Sequence, residues 1–377
     1  MGGLGAGRVA ALGDVATEIA DATRSFERWL GQRVRVRRDD LGYKHEQMAA
    51  DTFSFLRATF YRWAELWPEE VPEAADAPKV LAVGDLHVEN FGTWRDVEGR
   101  LVWGVNDFDE ATTLPYTIDL VRLATSAGLA AAEGHLAINL KEACAAILNG
   151  YSGCLKAGGR PIVLAENDRW LRRLASGRLR DPVTFWSRMS ELPTARGQLP
   201  SKTQELLLER LPDGANTVRF ARLRAGLGSL GLERLLAVAG WNGGLIAHEA
   251  KALVPSAWEW AHPAHGSERI HYGEVIGHAV RCPDPMVEVS DGWLVRRLSP
   301  DCSRILLDEL PTRRDEARLL KAMGWEAANI HLGTRGAARA IPIDLARRKQ
   351  GWLRDAATRM ARRLRADWKD WRTAQSG

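Results

Sequence analysis

The sequence contains few cysteines, and their spacing argues against the usual structural uses of that residue. Among 377 residues there are four Cys, with no C-x-x-C pair and no His at the spacing of a zinc site. We therefore expect free thiols in a reducing compartment, not a disulfide framework or a zinc centre. The four are Cys144, Cys154, Cys282 and Cys302.

Long apolar runs and an excess of one charge are also missing. No stretch reaches the ~18 apolar residues of a membrane span, and the segment from Met1 to Arg8 lacks the apolar core of a signal peptide. Lys and Arg number 52 against 48 Asp and Glu, which gives a net charge of only +4. We predict a cytoplasmic protein with no membrane partner and no specific nucleic-acid binding.

A group of oxygen-bearing side chains follows two short apolar runs that are predicted to be strands, at 80–83 and 101–105. Carboxylate and amide oxygens suit Mg²⁺, and one further carboxylate can orient a hydroxyl nucleophile for phosphoryl transfer. If both strands end in adjacent loops, these side chains share one pocket. They are Asp85 and Asn90 after the first run, and Asp107 and Asp109 after the second.

Each of these side chains receives a predicted role. Asp85 is the candidate base, and Asn90 and Asp107 are the candidate Mg²⁺ ligands. All three are predicted to be catalytic residues. Asp109 is a second-metal or water-mediated ligand. The alternatives are a turn residue for Asp85, a hydrogen bond within its own loop for Asn90, and a solvated carboxylate for Asp109.

The same residues carry a resemblance to known enzymes. The segment from Gly84 to Asn90, GDLHVEN, resembles the H-G-D-x-H-x-x-N loop of aminoglycoside and choline kinases, with Val83 in place of the first His. The NDFD segment 106–109 resembles their metal-binding segment, and 116–124 resembles the helix start that follows it. Over roughly 24–371 the chain resembles the bacterial domain-of-unknown-function family 2252. This resemblance implies a kinase-like fold with ATP and Mg²⁺, but no established reaction.

Supporting roles are expected for several neighbours of these motifs. Asp119 stands at a predicted helix start, where it can bind backbone N–H groups and tie down the Asp85 loop. His87 is expected to hold its loop through a hydrogen bond to a backbone carbonyl. Arg57 and Arg122 are expected to pair with these site acids, with a plain salt bridge as the alternative for both.

A second motif, G-x-G-x-x-G, lies between two strand-like segments further along the chain. Because glycine has no Cβ, such a loop lets backbone N–H groups approach phosphates closely. Its predicted nucleotide-binding residues are Gly226, Gly228, Ser229 and Gly231.

Lys251 ends the next predicted strand, where it suits the lysine that pairs with nucleotide phosphates. We expect it to lie exposed in a cleft, and we predict Glu274 as its carboxylate partner in preference to Glu268 or Glu259. The alternative is a structural glycine hairpin with Lys251 pointing into solvent.

The predicted fold is α+β and bilobal, and resembles that of protein kinases. A helix-rich catalytic lobe would span 1–216, an antiparallel sheet lobe for the nucleotide 217–300, and helices of 301–377 would pack back on the catalytic lobe. Kinases place the Gly-rich loop before the catalytic loop, whereas here Asp85 precedes Gly226, so we predict a circular permutation. Coincidence of one of the two motifs is the alternative.

The predicted function is Mg²⁺-dependent transfer of a phosphoryl group from ATP to a hydroxyl of a small molecule or protein. Two alternatives remain open, a kinase-like nucleotidyl transferase and a non-catalytic nucleotide-binding scaffold. The presence of Asp85, Asn90, Asp107 and Lys251 together argues against the scaffold, which needs none of them.

Overall fold

A computed structural model of the chain describes residues 15–164, 166, 169–175, 181–195, 199–263, 268–302, 304, 307 and 315–376. These described residues form fifteen helices and three sheets, and every strand pair in the sheets is antiparallel. The predicted α+β class is therefore confirmed.

The first half of the chain contains seven helices and four strands, followed by a short strand and three further helices. The helices are α1 Val15–Gly31, α2 Arg38–Ala50, α3 Thr52–Ala58, α4 Phe60–Glu70, α5 Pro72–Ala75, α6 Thr117–Ala132, α7 Leu140–Ala157, α8 Arg169–Ala175, α9 Pro182–Glu191 and α10 Ser201–Leu208. The strands are β1 Lys79–Ala82, β2 Phe91–Arg95, β3 Leu101–Val105, β4 Thr112–Pro115 and β5 Ile162–Val163.

The second half contains five strands and five helices among its described residues. The strands are β6 Asn216–Ala221, β7 Arg234–Trp241, β8 Gly244–Ala252, β9 Val287–Ser290 and β10 Trp293–Leu298. The helices are α11 Ala257–Ala261, α12 Tyr272–His278, α13 Glu316–His331, α14 Ala337–Arg347 and α15 Trp352–Ser376.

The apolar pattern over 44–67 predicts one helix, but the chain forms three. Asp51 is extended (φ −152°, ψ 167°), and its carboxylate accepts a hydrogen bond of 2.6 Å from the N–H of Ser54. A second break falls at Thr59. Asp is favoured at N-cap positions because its side chain accepts hydrogen bonds from the free N–H groups of a helix start. The spacing of apolar residues does not reveal such an N-cap, and the prediction of one helix over 44–67 is wrong.

The two strands predicted from apolar runs belong to different sheets. β1 pairs with β4, whereas β3 lies between β2 and β5. The β2–β3 register places Phe91 opposite Val105, so the residues just outside this pair meet as well. The N–H of Asn106 donates to the carbonyl of Asn90 at 3.2 Å. The hairpin thereby brings together the loops that precede β2 and follow β3.

The third sheet has five strands in the order β6-β7-β8-β10-β9. It is an antiparallel meander as far as β8, after which α11 and α12 intervene before β9. The β9–β10 turn has Asp291 and Gly292 both at positive φ, 50° and 78°. That conformation is typical of the tight hairpin which the Asp-Gly pair predicts.

The C-terminal helices return to the first half of the chain, where α13 packs on α7 and α15 packs on α6 and α1. The α13–α7 contact brings two backbones together, because a Cβ at Gly150 or Gly324 would overlap the facing main chain. Lobe boundaries at 216 and 300 stay a prediction. Among the described residues, every helix is too short or too polar to cross a bilayer.

Candidate functional site

The turn that carries Asp85 is held by a buried carboxylate on the neighbouring helix. Gly84 has a φ of +78°, and a Cβ there would overlap the carbonyl of Glu110, which explains why glycine occupies the position. Asp119 in α6 accepts hydrogen bonds of 2.8 Å from the N–H groups of Val83 and Gly84. The predicted role of Asp119 in tying down this loop is confirmed.

A second buried polar contact joins Asp119 to the C-terminal helix α13. The Nε2 atom of His331 lies 2.9 Å from Asp119 Oδ2, and its Nδ1 atom lies 2.7 Å from the hydroxyl of Tyr151. Asp119 and His331 are both fully buried. The position of the Asp85 turn therefore depends on a residue more than two hundred positions away.

Replacing Asp119 with Ala is expected to lower the free energy of unfolding by about 2–3 kcal/mol, because buried donors on Val83, Gly84 and His331 lose their acceptor. Urea denaturation would measure the change. An Asp355→Ala variant, which removes an exposed carboxylate from α15, serves as the control and should shift stability by less than ~0.5 kcal/mol. Equal shifts in the two variants would contradict this role of Asp119.

The carboxylate of Asp85 is bound by a fully buried arginine. Arg122 Nε and Nη2 lie 2.7 and 2.5 Å from Asp85 Oδ1, and Nη2 also donates to the carbonyl of Leu56 at 2.8 Å. Burial raises the pKa of Asp85 to about 6, with Arg122 opposing the shift and the nearby Asp107 adding to it. Asp85 is therefore ionised at neutral pH but titrates close to it.

Arg57 also forms a salt bridge, but with Glu89 and not with one of the acids predicted as its partners. Arg57 Nη1 lies 2.7 Å from Glu89 Oε2, within the turn that follows Asp85. Glu89 Oε1 in addition accepts a hydrogen bond of 3.1 Å from the N–H of Leu307. Arg57 and Arg122 thus each neutralise an acid of the Asp85 loop.

One amide joins the two predicted catalytic loops. Asn90 Nδ2 donates to the carbonyl of Asp85 at 2.9 Å and to the carbonyl of Asp107 at 3.3 Å. These bonds use both donors of the amide and leave Oδ1 as its remaining acceptor. Asn90 therefore makes the loop hydrogen bond proposed as its structural alternative, and it also lines the pocket around Asp85.

His87 has a structural contact, though not the predicted one. Its Nδ1 accepts a hydrogen bond of 3.2 Å from the N–H of Glu89, whereas a bond to a carbonyl was expected. Burial, reinforced by Arg57, Arg122 and Arg304, holds the pKa of His87 well below its usual value. The neutral ring suits an acceptor, since a protonated Nδ1 could not accept this bond.

Lys251 joins the five-stranded sheet to the carboxylates that follow β3. Its Nζ lies 2.5 and 2.7 Å from the two oxygens of Asp109 and 3.4 Å from Asp107 Oδ1. Lys251 is 0% exposed, so the expectation of an exposed cleft lysine is wrong. The alternative in which it points into solvent fails for the same reason.

The two carboxylates of this group differ in their electrostatics. Burial alone would raise the pKa of Asp107, but Lys251, Arg304 and Arg296 hold it well below its usual value. Arg304 forms an ion pair with Asp107. Burial and repulsion from Asp107 raise the pKa of Asp109, with Lys251 opposing. Asp107 is therefore the more firmly ionised of the pair.

The predicted pairing of Lys251 with Glu274 is not observed. Glu274 lies in α12 and pairs instead with Arg269 at 3.1 Å and with His271 at 2.9 Å. In the part of the chain that the structure describes, the ion pairs of Lys251 are those with Asp107 and Asp109. Glu249, two residues before Lys251 on β8, pairs with Arg234 and Arg296.

The Gly-rich loop between β6 and β7 lies directly over Asp85. A Cβ at Gly228 would come within 3.5 Å of Asp85 Oδ2 and 3.2 Å of the Arg57 carbonyl. Lys44 Nζ, buried beneath the loop, donates to the carbonyl of Gly228 at 3.0 Å. These contacts hold the loop close to the acidic side chains.

The members of the glycine motif are not equivalent. Gly226, Gly228 and Ser229 line the same pocket as Asp85, and Ser229 Oγ accepts a hydrogen bond of 3.1 Å from Arg234. Gly231, with a φ of +99°, packs instead against Leu41 of α2. A structural role therefore accounts for Gly231.

The pocket enclosed by these elements is small, with a free volume of about 50 Å³. It has room for one or two water molecules or an ion but not for a nucleotide. Its polar lining consists of Lys44, Arg57, Asp85, His87, Asn90, Asp107, Asp109, Glu110, Ser229 and Arg304. Over the described ranges, no three His, Cys, Asp or Glu side chains converge as a ready metal centre.

Two pocket residues have roles that sequence reasoning missed. Lys44 lies within the segment that carries the resemblance, but its partner, the Gly228 carbonyl, is 184 residues away. Arg304 stands in no recognisable motif, and its contact with Asp107 spans 197 residues. Single-sequence patterns are local and carry no signal for such pairs.

Comparison with known proteins gives one match. A family model described as "Uncharacterized protein conserved in bacteria (DUF2252)" matches residues 37–222, just under half of the chain. No curated protein and no solved structure matches. The matched segment includes Asp85, Asn90, Asp107 and Asp109 and ends before the glycine loop and Lys251. Over residues 37–222 the chain is thus similar to this bacterial family.

Proposed function

We propose that this protein is a Mg²⁺-dependent, ATP-binding phosphotransferase with a circularly permuted, bilobal, kinase-like fold. The observation that carries the proposal is the meeting of Lys251 with Asp107 and Asp109 beside Asp85. In protein kinases the glycine loop precedes a lysine on the third strand, which acts with a metal-binding Asp and a catalytic Asp. Here the glycine loop joins β6 and β7, and Lys251 lies on β8, the third strand of its sheet.

The donor atoms around Asp107 fit a magnesium ion. Asp107 is held ionised, Asp109 lies beside it, and the Oδ1 atom of Asn90 is an amide oxygen of the kind that Mg²⁺ accepts. When bound, the ion would neutralise charge on the phosphates. Lys251 and Arg304, which now pair with these carboxylates, would turn to phosphate oxygens of the nucleotide.

Asp85 has the position and the pKa of a group that receives a proton from a hydroxyl. With a pKa of about 6, Asp85 is ionised at pH 7 and is still basic enough to accept a proton. Arg122 fixes the orientation of its carboxylate by binding Oδ1, and Oδ2 faces the glycine loop. A substrate hydroxyl would therefore approach Oδ2 from the side that the loop now covers.

Nucleotide binding requires the glycine loop to move. A free volume of about 50 Å³ cannot hold ATP, and the loop is fastened by the hydrogen bond between Lys44 and Gly228. The backbone of the loop is also bound by α2, since the Arg37 N–H donates to the Gly231 carbonyl at 2.9 Å. ATP would replace these contacts with bonds to its phosphates.

The test is incubation of the purified protein with Mg²⁺ and ATP labelled in separate reactions at the α or γ phosphate. We expect the γ label, not the α label, to move to protein, added hydroxyl compounds or water. Asp107→Asn should weaken ATP binding at least tenfold in calorimetry, as should chelation of Mg²⁺. Asp301→Asn, which changes a half-exposed carboxylate that pairs with Arg95, is the matched control.

Three outcomes would contradict the proposal. Transfer of the α label would support nucleotidyl transfer. ATP binding without movement of either label would support the scaffold alternative. If ATP does not bind, either with or without Mg²⁺, the pocket is not a nucleotide-binding site.

A further inference from the structure

A second cavity, of about 470 Å³, is lined by Asn106 and Phe108 and meets the pocket described above at Arg304. It is enclosed by α12, by β9 and β10, and by the end of the β2–β3 hairpin. Its volume falls in the range of small-molecule sites, which is about 300–1,000 Å³. The proposed phosphotransferase activity makes no use of it.

Four arginines line this cavity, and two of them form no ion pair with any residue that the structure describes. Arg296 pairs with Glu249 and Arg304 pairs with Asp107. By contrast, Arg281 Nη1 and Arg297 Nε are buried and make no hydrogen bond within the described residues. The Arg281 guanidinium lies over the rings of Trp94 and Phe108, at 4.4 and 5.1 Å.

The acids around the cavity interact with these two arginines only at longer range. Asp284 and Glu326 interact electrostatically with Arg281, and Asp284 also with Arg297, but the described residues show no ion pair with either arginine. Glu288 pairs with Arg210, and Asp284 accepts a hydrogen bond of 2.9 Å from the N–H of Met286. Glu326 accepts from Asn329 at 2.9 Å and from the Val105 N–H at 3.4 Å. In the described structure none of the three lies within ion-pair distance of Arg281 or Arg297.

A buried guanidinium nitrogen without an acceptor is costly, and a carboxylate or phosphate group is the acceptor that fits the fork of donors of an arginine. The remaining walls of the cavity are largely apolar and would contact the body of such a ligand. They include Trp94, Phe108, Tyr272, Ile276, Val287 and Val289.

We propose that this cavity binds a small organic anion, with its carboxylate or phosphate on Arg281 and Arg297 and its apolar body against α12 and β9. Asn106 lines the cavity, and its Oδ1 is a buried acceptor that makes no hydrogen bond within the described residues. It would accept a hydrogen bond from an N–H or O–H group of the same ligand. This site adjoins the proposed nucleotide site at Arg304, which lines both pockets, but the contacts proposed for its ligand do not depend on a bound nucleotide.

Calorimetric titration with phenyl phosphate, benzoate and uncharged benzyl alcohol tests the proposal. We expect at least one of the two anions to bind at least tenfold more tightly than the alcohol, and the stronger of them identifies the headgroup. Arg281→Met and Arg297→Met should each weaken that binding by about 10- to 100-fold. Arg339→Met, on an exposed face of α14, is the control and should leave it unchanged.

Folding of the variants is not expected to obscure the result, because Met replaces an unpaired buried charge with an apolar chain of similar length. A further variant, Lys44→Met, separates the two pockets. The proposal is overturned if neither anion binds, if the alcohol binds as well as both anions, or if both Arg281→Met and Arg297→Met bind like the wild type. Binding lost in Lys44→Met and kept in Arg281→Met would place the anion in the first pocket, which also overturns it.

Discussion

Replacement of Lys251 with Met is expected to lower the free energy of unfolding by about 3–5 kcal/mol, the usual cost of removing one partner from a buried ion pair. The Lys251 side chain is 1% exposed, and those of Asp107 and Asp109 are 15% and 18% exposed. Without the ammonium group, two adjacent carboxylates lose their shared cation and repel each other. Urea denaturation at pH 7, followed by circular dichroism, would measure the loss.

A double variant separates this electrostatic cause from loss of packing. Lys251→Met combined with Asp109→Asn removes the repulsion along with the cation, so it should recover a large part of the lost stability. Lys202→Met, which changes an exposed lysine, is the control and should alter stability by less than ~0.5 kcal/mol. A loss below ~1 kcal/mol in Lys251→Met, or no recovery in the double variant, would contradict a buried ion-pair group.

The Lys251 result also tests a sequence-based expectation that the structure reverses. A strand-end lysine at this spacing is predicted to matter for activity and little for folding. The structure buries it, because β8 lies between β7 and β10 and its end faces the loop after β3. A local sequence pattern does not show which elements a strand packs against. The location of Lys251 near the end of a strand was therefore predictable, but its burial against Asp107 and Asp109 was not.

Local sequence signals were sufficient where the structure depends on local chemistry. β3 was predicted with its observed bounds, and the Asp-Gly hairpin after β9 was predicted from two residues. The role of Asp119 also followed from sequence, since an Asp near a helix start and a glycine turn both present unsatisfied N–H groups nearby.

Long-range partners explain most of what was missed. β2, with the sequence FGTWR, lacks the alternation of a strand and is buried at four of its five positions because it pairs with β3. The spacing of kinase motifs predicts the partner of Lys251 on a following helix, where Glu274 lies. The acids that bind it precede it by 142 and 144 residues. Prediction of such pairs needs the packing of whole elements, which a single sequence does not reveal.

Replacement of Asp85 with Asn is expected to reduce turnover by about 10²- to 10⁴-fold, the usual contribution of a positioned general base. The affinity for ATP and Mg²⁺ should stay within about threefold of the wild type, since Asp107, Asn90 and Lys251 are proposed to hold the nucleotide. Asn keeps an oxygen that can accept from Arg122, so the loop should retain its position. Rates with γ-labelled ATP and calorimetric affinities for ATP would measure the two effects separately.

The pH dependence of the two proteins distinguishes a base from a turn residue. The folded-state pKa of Asp85, about 6, lies above its ordinary value of 3.8. Its contribution to stability is therefore complete below about pH 4 and is lost as pH rises through about 6. Between about pH 4 and 6 the wild type should therefore lose stability relative to Asp85→Asn, because burial disfavours the ionised carboxylate. Its turnover should increase over the same range, because the ionised carboxylate is the form that can accept a proton. Glu110, whose pKa is raised to about 7 by burial and in part by the charge of Asp85, titrates in both proteins, and in Asp85→Asn it should do so at a lower pH. If turnover in Asp85→Asn equals that of the wild type, or if wild-type turnover does not change between pH 5 and 7, Asp85 is a turn residue and the base lies elsewhere in the pocket.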